Sequence, residues 1–300
     1  MDLETLYNCI TSPSCLVTQT TSGFIAGMLL FLVAVGLTLI FGVLKIVNFT
    51  HGAFYMLGAY FGLTVFHLTD SYVLALVGAA TGACLVGLII ERFFISRIYG
   101  ADVLMQLLVC YALVLILDDL VRIVWGPEFR SMGMPPAFQV PPYFIAGGVV
   151  PPFYLFLIGA TLVVALMLGL VIARTRIGKI VRAAAHNPTM VSVLGLNTGL
   201  IYSSVFAIGC LLAGLAGGLA APVRSLTPGM GFSILIESFI VTVIGGMGSI
   251  LGALIGAVLL GMVRAFGSLG FPSFTDGLMY LFMAVVLVIR PSGLLGKEVA

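Results

Sequence analysis

Apolar segments long enough to cross a membrane recur along the whole chain, and they constrain its fold more than any other feature. An α-helix rises 1.5 Å per residue, so about 20 apolar residues cross a hydrocarbon core about 30 Å thick. Of the 300 residues, 61% are hydrophobic and only 8% are charged, whereas a soluble domain carries about 25% charged residues. This composition excludes a water-soluble fold. The candidate spans are 20–44, 46–67, 72–90, 103–121, 150–174, 200–221, 232–246, 250–266 and 274–289.

These segments predict an all-α integral membrane protein, a polytopic bundle of about eight or nine transmembrane helices, some of them short or broken. The spans 232–246 and 250–266 are short, and they form either two tilted full spans or a re-entrant pair. Gly248, Gly252 and Gly256 follow one another at four-residue intervals. Small residues at this spacing let two helices approach closely in lipid. We therefore expect these glycines to form a tightly packed helix interface.

The distribution of basic residues predicts the orientation of the bundle, because cytoplasmic loops are enriched in Lys and Arg. With the N-terminus outside and the C-terminus inside, nine basic residues face the cytoplasm and three face outward. Residues 1–19 then form an extracytoplasmic arm, and 20–297 a single transmembrane domain with an extracytoplasmic loop at 122–149 and a cytoplasmic loop at 174–197. The cytoplasmic set is Lys45, Arg92, Arg97, Arg174, Arg176, Lys179, Arg182, Arg290 and Lys297, and the outer set is Arg122, Arg130 and Arg224.

Five cysteines are present, and they fall into two groups. Three lie inside apolar spans, where a small buried thiol is the ordinary interpretation. Cys9 and Cys15 lie in the N-terminal arm, and a disulfide between them requires an oxidising compartment. The sequence leaves open whether they pair.

Sequence motifs for catalysis, nucleotide binding and metal binding are missing. The Gly-Lys pairs at 178–179 and 296–297 are followed by Ile180 and Glu298, so neither completes a phosphate-binding loop. The histidines and cysteines lack the spacing of a metal site, and a net charge of +2 gives no reason to expect a nucleic-acid partner. We expect no catalytic residue, cofactor or metal in this chain. If ATP drives the protein, the ATPase is a separate chain.

Polar residues within the spans are the candidates for function, because they are costly to place in a membrane. Asn48 and His51 lie in a segment that Thr50 and Gly52 weaken as a helix. A broken helix here exposes backbone groups to a cavity at mid-membrane; alternatively, both residues lie at the inner interface and only begin a helix. Glu237 either pairs with Arg224 or Arg264 or faces the transported solute. Asn48, His51 and Glu237 are thus candidates for a translocation path.

Four segments resemble the permease subunits of branched-chain amino acid ABC importers, specifically the shorter of their two permeases. GLTLIFGVLKIVNFTHGAFYMLGAY (36–60) is similar to the family's junction between early spans. RIGKIVRAAAHNPTMVSVLGLN (176–197) is similar to its cytoplasmic loop, and VIGGMGSILGALIGA (243–257) and IRPSGLLGK (289–297) to its late helices and tail. The segments occur in the family's order and at full-length spacing.

The resemblance implies a multi-pass protein of the bacterial inner membrane with several partner chains. These are a second, homologous permease in a heterodimer, two ABC ATPases on the cytoplasmic side, and an extracytoplasmic binding protein. The solute is a branched-chain amino acid or a related compound, such as urea, an amide or an aromatic acid. The coupling residues that the resemblance assigns are Arg182, Ala184, Asn187, Pro188 and Gly195.

Two alternatives stay open at this point. The loop at 174–197 is either a segment that docks on an ATPase or a solvated basic turn, although Val191, Val193 and Leu194 argue against full solvation. The chain itself is either an importer permease or an ion-coupled carrier or passive channel that works without ATPases. The sequence also leaves the solute and the choice between a heterodimer and a homodimer undecided.

Overall fold

The computed structural model describes residues 3–296, and over this range the chain is dominated by helices. The predicted all-α membrane bundle is confirmed. One two-stranded antiparallel sheet is described as well, with strands β1 (Tyr143–Ile145) and β2 (Gly148–Val150). The helices are α1 (Leu3–Thr11), α2 (Pro13–Leu44), α3 (His51–Thr69), α4 (Tyr72–Phe93), α5 (Val103–Trp125), α6 (Pro152–Arg174), α7 (Arg176–His186), α8 (Pro188–Val193), α9 (Thr198–Ala220), α10 (Met230–Gly245), α11 (Ile250–Gly270) and α12 (Thr275–Ile289).

Each predicted span corresponds to one helix, and the larger differences occur at the starts of α2 and α3. By length and composition, six of the described helical segments suffice to cross a membrane: Pro13–Leu44, Tyr72–Phe93, Pro152–Arg174, Thr198–Ala220, Ile250–Gly270 and Pro272–Ile289. Helix α2 begins at Pro13 instead of residue 20, because the hydroxyls of Thr18, Thr20 and Thr21 bond to main-chain oxygens of the preceding turn. These bonds satisfy polar side chains within the helix.

Helix α2 is the centre of the bundle. It is apolar all round and buried along most of its length, which is the pattern of a helix surrounded by other helices. It packs against α9, α10 and α11. Helix α11 runs antiparallel to it, with Gly27 beside Ala257 and Gly23 beside Gly261. Most large exposed apolar side chains lie on peripheral helices such as α5, α6 and α12, as expected of a surface that faces hydrocarbon.

The pair of short spans consists of two separate helices, α10 and α11, joined by a turn at 246–249. Helix α11 has 21 residues and a length of about 31 Å, enough to cross the hydrocarbon core. Helix α10 has 16 residues and a length of only about 24 Å.

The N-terminal arm and the long loop before α6 pack together at one end of the bundle. Cys9 of α1 and Cys15 of α2 form a disulfide, with their Cα atoms 5.1 Å apart. Residues 13–19 of the predicted arm belong to α2. The β1–β2 hairpin contacts the first turns of α2, where Val149 donates its N–H to the Thr18 hydroxyl at 3.2 Å. The arm and the loop therefore share one ordered surface.

Candidate functional site

The chain between α2 and α3 is an interruption in helical structure that lies inside the protein. Lys45 ends α2 in the left-handed conformation, with φ of 59°. The Asn48 side-chain oxygen accepts the Thr50 N–H at 3.1 Å, and the Asn48 carbonyl accepts the His51 N–H at 3.2 Å. These bonds turn the chain into α3. Asn48, Thr50 and His51 are at most 1% exposed, so this turn is part of the core.

The position of His51 shows how deep the interruption reaches. Its Nε2 lies 3.1 Å from the main-chain oxygen of Val33, and Val33 is eleven residues before the end of α2 at Leu44. Eleven helical residues span about 16 Å, so α3 begins beside the middle of α2. The chain from Lys45 to Thr50 thus returns into the bundle before the next helix starts. This geometry places the break between the two helices inside the bundle and not at the end of α2.

Two polar atoms at this turn have no hydrogen-bond partner among the described residues. They are Asn48 Nδ2 and His51 Nδ1. Buried polar atoms are normally paired, so unpaired ones at a helix break are consistent with a region that opens to solute or water. The surrounding helices close over both side chains in this conformation. Their role in a translocation path stays a prediction.

Glu237 has a partner within the bundle. Its Oε2 lies 2.5 Å from Arg264 Nη1 of α11, and its side chain is 11% exposed, against 32% for that of Arg264. The sequence offered Arg224 or Arg264 as the partner of Glu237, and the ion pair forms with Arg264. The helix of Glu237 touches the first turn of α3, since a Cβ placed on Gly52 would lie 2.8 Å from Leu235 Cβ. Asn48, His51 and Glu237 therefore lie on neighbouring elements but share no hydrogen bond.

The loop at 174–197 contains two short helices instead of a solvated turn. Thr175 caps α7 by accepting the Gly178 N–H at 3.1 Å, and Gly178 lies against the end of α6. The Asn187 side chain accepts the Met190 N–H at 3.0 Å, and Pro188 is in the first turn of α8. Gly195 follows α8 with φ of +80°, a conformation that glycine adopts readily. Asn187, Pro188 and Gly195 thus set the ends of α8.

The residues predicted to couple the chain to an ATPase divide between the interior and the surface. Arg182 donates from Nη1 to the Ile172 carbonyl of α6 at 2.5 Å. Ala184 is only 1% exposed, so it packs inward and does not belong to a docking surface. The outer side of α8 is apolar instead: Met190, Val193 and Leu194 are 58%, 76% and 72% exposed. We call these three residues the α8 apolar face.

The three glycines predicted to pack a helix interface have different surroundings. A Cβ on Gly252 would overlap the main-chain oxygen of Gly245, and one on Gly256 would lie 3.2 Å from the Val241 oxygen. Both glycines therefore face α10 at close range. Gly248 lies outside α11, in the preceding turn with φ of +92°. Its position is a turn and not a helix face, because the chain must reverse direction between α10 and α11.

Glu91 is a buried carboxylate that carries no distinctive signal in the sequence. It is 2% exposed and accepts hydrogen bonds from the hydroxyls of Tyr99 and Ser203, the latter at 2.8 Å. Burial and the bond to Glu91 raise the pKa of Tyr99, so this hydroxyl remains protonated and donates. Glu91 thereby ties the end of α4 to the first turns of α9, next to α8. In the sequence, Glu91 beside Arg92 looks like an ordinary charged pair at the end of a span.

Metal ligands are not grouped in the part of the chain that the structure describes: no three His, Cys, Asp or Glu side chains within residues 3–296 could hold an ion together.

Comparison with known proteins gives one consistent result. A family described as "Branched-chain amino acid transport system / permease component" matches residues 19–289. The high-affinity branched-chain amino acid transport system permease protein BraD of Pseudomonas aeruginosa is 30% identical over 292 residues, covering 93% of this chain and 95% of that protein. The corresponding protein LivH of Escherichia coli strain K12 is 28% identical over 296 residues, covering 93% of this chain and 95% of LivH.

A more distant relative has the same description. The probable branched-chain amino acid transport permease protein LivH of Methanocaldococcus jannaschii is 27% identical over 293 residues, covering 90% of this chain and 89% of that protein. No solved structure matches the chain.

Proposed function

The chain belongs to the permease-component family of branched-chain amino acid transport systems, and from this premise we propose that it forms the translocation path of an ATP-driven importer. It is a multi-pass inner-membrane transport subunit. The proposed solute is a branched-chain amino acid or a related small compound, such as urea, an amide or an aromatic acid, delivered by a binding protein. The α8 apolar face is the observation that carries the ATP-driven part of the proposal.

The position of the α8 apolar face explains why a partner is needed there. Met190, Val193 and Leu194 lie on one side of a short helix held by a cap at Asn187 and a reversal at Gly195. An exposed apolar patch on an ordered element is typical of a protein interaction site. Residues 174–197 lie on the cytoplasmic side in the predicted orientation, where an ABC ATPase is found. We infer that α8 inserts into a groove of that ATPase.

Movement of α8 can reach the membrane helices through rigid contacts. Helix α7 packs on the end of α6 through Gly178 and the bond from Arg182 to Ile172. On the other side, α8 leads directly into α9, which packs against α2, α3 and α4. Closure of ATPases around ATP would therefore displace the helices that surround the broken segment. In this proposal Asn48 and His51 border the path when the bundle opens, and Glu237 lies beside it.

The partner set follows from the single coupling segment per chain. One such segment engages one ATPase, so two ATPases require two permease chains, which we propose to be this chain and a homologous second permease. The family's description as the permease component of a transport system supports a role alongside other chains. ATP hydrolysis falls to the partner chains in this scheme, since the sequence has no phosphate-binding loop.

Affinity purification of the tagged chain from its native membrane tests the proposal, with mass spectrometry of the proteins that accompany it. We expect a second permease and two ATPase copies. A chain recovered alone that still takes up solute in ATP-free vesicles would instead be a carrier or channel, and Glu237 with Asn48 would then be the first candidates for an ion site.

A further inference from the structure

A polar cleft lies beside Arg264 at the end of the bundle that carries α1. Its volume is about 380 Å³, which is within the range of small-molecule sites. Helices α2, α11 and α12 form its walls. The lining residues are Gln19, Ser22, Ala26, Arg264, Ala265, Ser268, Thr275 and Asp276. In the predicted orientation the cleft faces the extracytoplasmic side, from which an imported solute arrives.

Arg264 is the residue that needs an explanation in this cleft. It lies within α11, and a charged residue inside a membrane span is costly and marks a functional position by default. Among the described residues its one side-chain bond runs from Nη1 to Glu237. A guanidinium has five N–H donors in a planar fork, so four of them are left for a further acceptor. The side chain is 32% exposed and lines the cleft, so these donors are accessible to a carboxylate.

The opposite charge is present in the same cleft. Asp276 of α12 is exposed, and in the described part of the chain its carboxylate has no hydrogen bond or ion pair. Gln19 and Ser22 contribute further polar groups, and Ala26 and Ala265 leave room because their side chains are small. The cleft therefore presents both guanidinium N–H donors, from Arg264, and a free carboxylate, from Asp276. It favours a solute that carries one charge of each sign.

We propose that this cleft binds the carboxylate of a zwitterionic amino acid through Arg264 and its ammonium group through Asp276. The site is the first one that the solute occupies in the membrane subunit. This inference rests on the proposed function and narrows its solute class, because urea and simple amides lack both charges. Glu237 holds the guanidinium in place and thus positions Arg264.

The cleft is tested in the assembled transporter by placing a thiol in it with Ser268→Cys and measuring whether a bound solute protects that thiol from chemical labelling. A polar thiol reagent labels this position, and mass spectrometry of the peptide gives the labelling rate. L-leucine is the probe, compared with leucinamide, which lacks the carboxylate, and with 4-methylpentanoate, which lacks the ammonium group. We expect leucine to slow labelling at least threefold and both analogues to protect far less at the same concentration. Ser131→Cys, in the loop outside the cleft, serves as the control position and should show no protection.

Charge variants test the two assigned contacts. In the Ser268→Cys background, the pair Glu237→Gln/Arg264→Gln removes both charges together, so that neither is left without its partner, and we expect it to abolish protection by leucine. Asp276→Asn should raise the half-protecting leucine concentration ~10-fold, as the loss of one charge-assisted bond does. Asp119→Asn removes an exposed carboxylate outside the cleft and should change nothing.

Uptake of leucine by the unsubstituted transporter is measured in parallel, so that the two proposals can fail separately. Uptake without protection, or equal protection by leucine and both analogues, would overturn the cleft assignment and leave the importer intact. Protection by leucine that is unchanged in Asp276→Asn and in the double variant would likewise overturn the cleft assignment and leave the importer intact. Absence of ATP-driven uptake would instead count against the proposed function.

Discussion

The Nε2 atom of His51, the first residue of α3, lies 3.1 Å from the main-chain oxygen of Val33, in the middle of α2. A helix that followed directly from α2 would begin near the end of α2, about 16 Å away by the helical rise. The chain therefore re-enters the bundle before it becomes helical again. This one contact makes the interrupted segment at 45–50 a feature of the protein's interior, where a transport subunit needs backbone groups that can meet a solute.

Gly52, next to His51, should tolerate no side chain. A Cβ at this position would overlap the Gly231 main-chain oxygen at the start of α10, and backbone atoms cannot move aside as a flexible side chain does. We expect Gly52→Ala to destabilise the purified protein by about 1–3 kcal/mol, as overpacking does, with a lower Tm. Gly159→Ala is the matched control, because nothing lies within 4 Å of a Cβ there. Equal Tm values for the two variants would show that α3 and α10 are not in close contact.

The ion pair of Glu237 and Arg264 should show coupling in a double-mutant cycle of unfolding free energies. Arg264→Gln leaves a carboxylate that is 11% exposed without its partner, whereas Glu237→Gln leaves a guanidinium that reaches the cleft. The first change should therefore destabilise more than the second, with a coupling free energy of about 0.5–3 kcal/mol. Additive effects would contradict a direct contact.

Uptake by the Glu237→Gln variant tests the role of this carboxylate in transport, apart from its role in stability. If the carboxylate only positions Arg264, the variant retains most of its ATP-driven uptake. Complete loss of uptake in a normally folded variant would assign Glu237 a direct role in translocation.

Charge on the α8 apolar face should uncouple the transporter without unfolding it. Val193 and Leu194 are 76% and 72% exposed, so Val193→Glu with Leu194→Glu should leave Tm unchanged. The same pair should abolish co-purification of the ATPases and reduce uptake at least tenfold. Val193→Leu with Leu194→Met preserves the apolar surface and should preserve both activities. Uptake that persists in the charged variant would contradict the docking role of α8.

Ala184 should respond in the opposite way, although it lies in the same loop. It is 1% exposed, and a buried charge without a partner is strongly destabilising. We expect Ala184→Glu to lower the yield and Tm of the membrane protein, whereas Ala184→Ser should be mild. A stable, well-assembled Ala184→Glu variant would place this residue on the surface, contrary to the structure.

The hydrogen bonds of Glu91 should contribute measurably to stability near the coupling segment. Ser203→Ala removes one donor to a buried carboxylate, and hydrogen bonds to charged groups contribute about 1.5–3 kcal/mol. We expect a fall in unfolding free energy of this order, measured by thermal or denaturant unfolding. Ser204→Ala is the neighbouring control, because the Ser204 hydroxyl bonds only to the carbonyl of its own helix, at Leu200. Equal effects of the two changes would contradict a structural role for Glu91.

The sequence predicts the helices of this protein well and the depth of its polar residues poorly. Apolar length and turn residues are local signals, so α4 begins at the predicted residue 72 and α11 at residue 250. The depth of His51 depends on how far the chain re-enters after Lys45, which is a property of tertiary packing. For this reason the sequence left both a mid-membrane break and an interfacial helix start open.

Packing also decided the roles of residues in the loop and the spans. Ala184 and Val193 are both apolar residues of the 174–197 loop, yet one is buried and the other exposed, and only the fold of α7 against α6 separates them. The sequence around Glu91 is that of an interfacial charge, and only the fold brings Ser203, more than a hundred residues later, beside it. Gly248 has the spacing of a packing glycine but occupies a turn. Such long-range relationships have no local sequence signal.

The ATP dependence of uptake by the assembled transporter in proteoliposomes tests most sharply whether this chain is the permease of an ATP-driven importer. This chain, the second permease and the ATPases are reconstituted together, the binding protein and radiolabelled leucine are added on the side opposite the ATPases, and ATP is enclosed with the ATPases. We expect accumulation of leucine that requires ATP and is lost in Val193→Glu/Leu194→Glu. Uptake that proceeds equally without ATP, or through this chain alone, would contradict an ATP-driven importer.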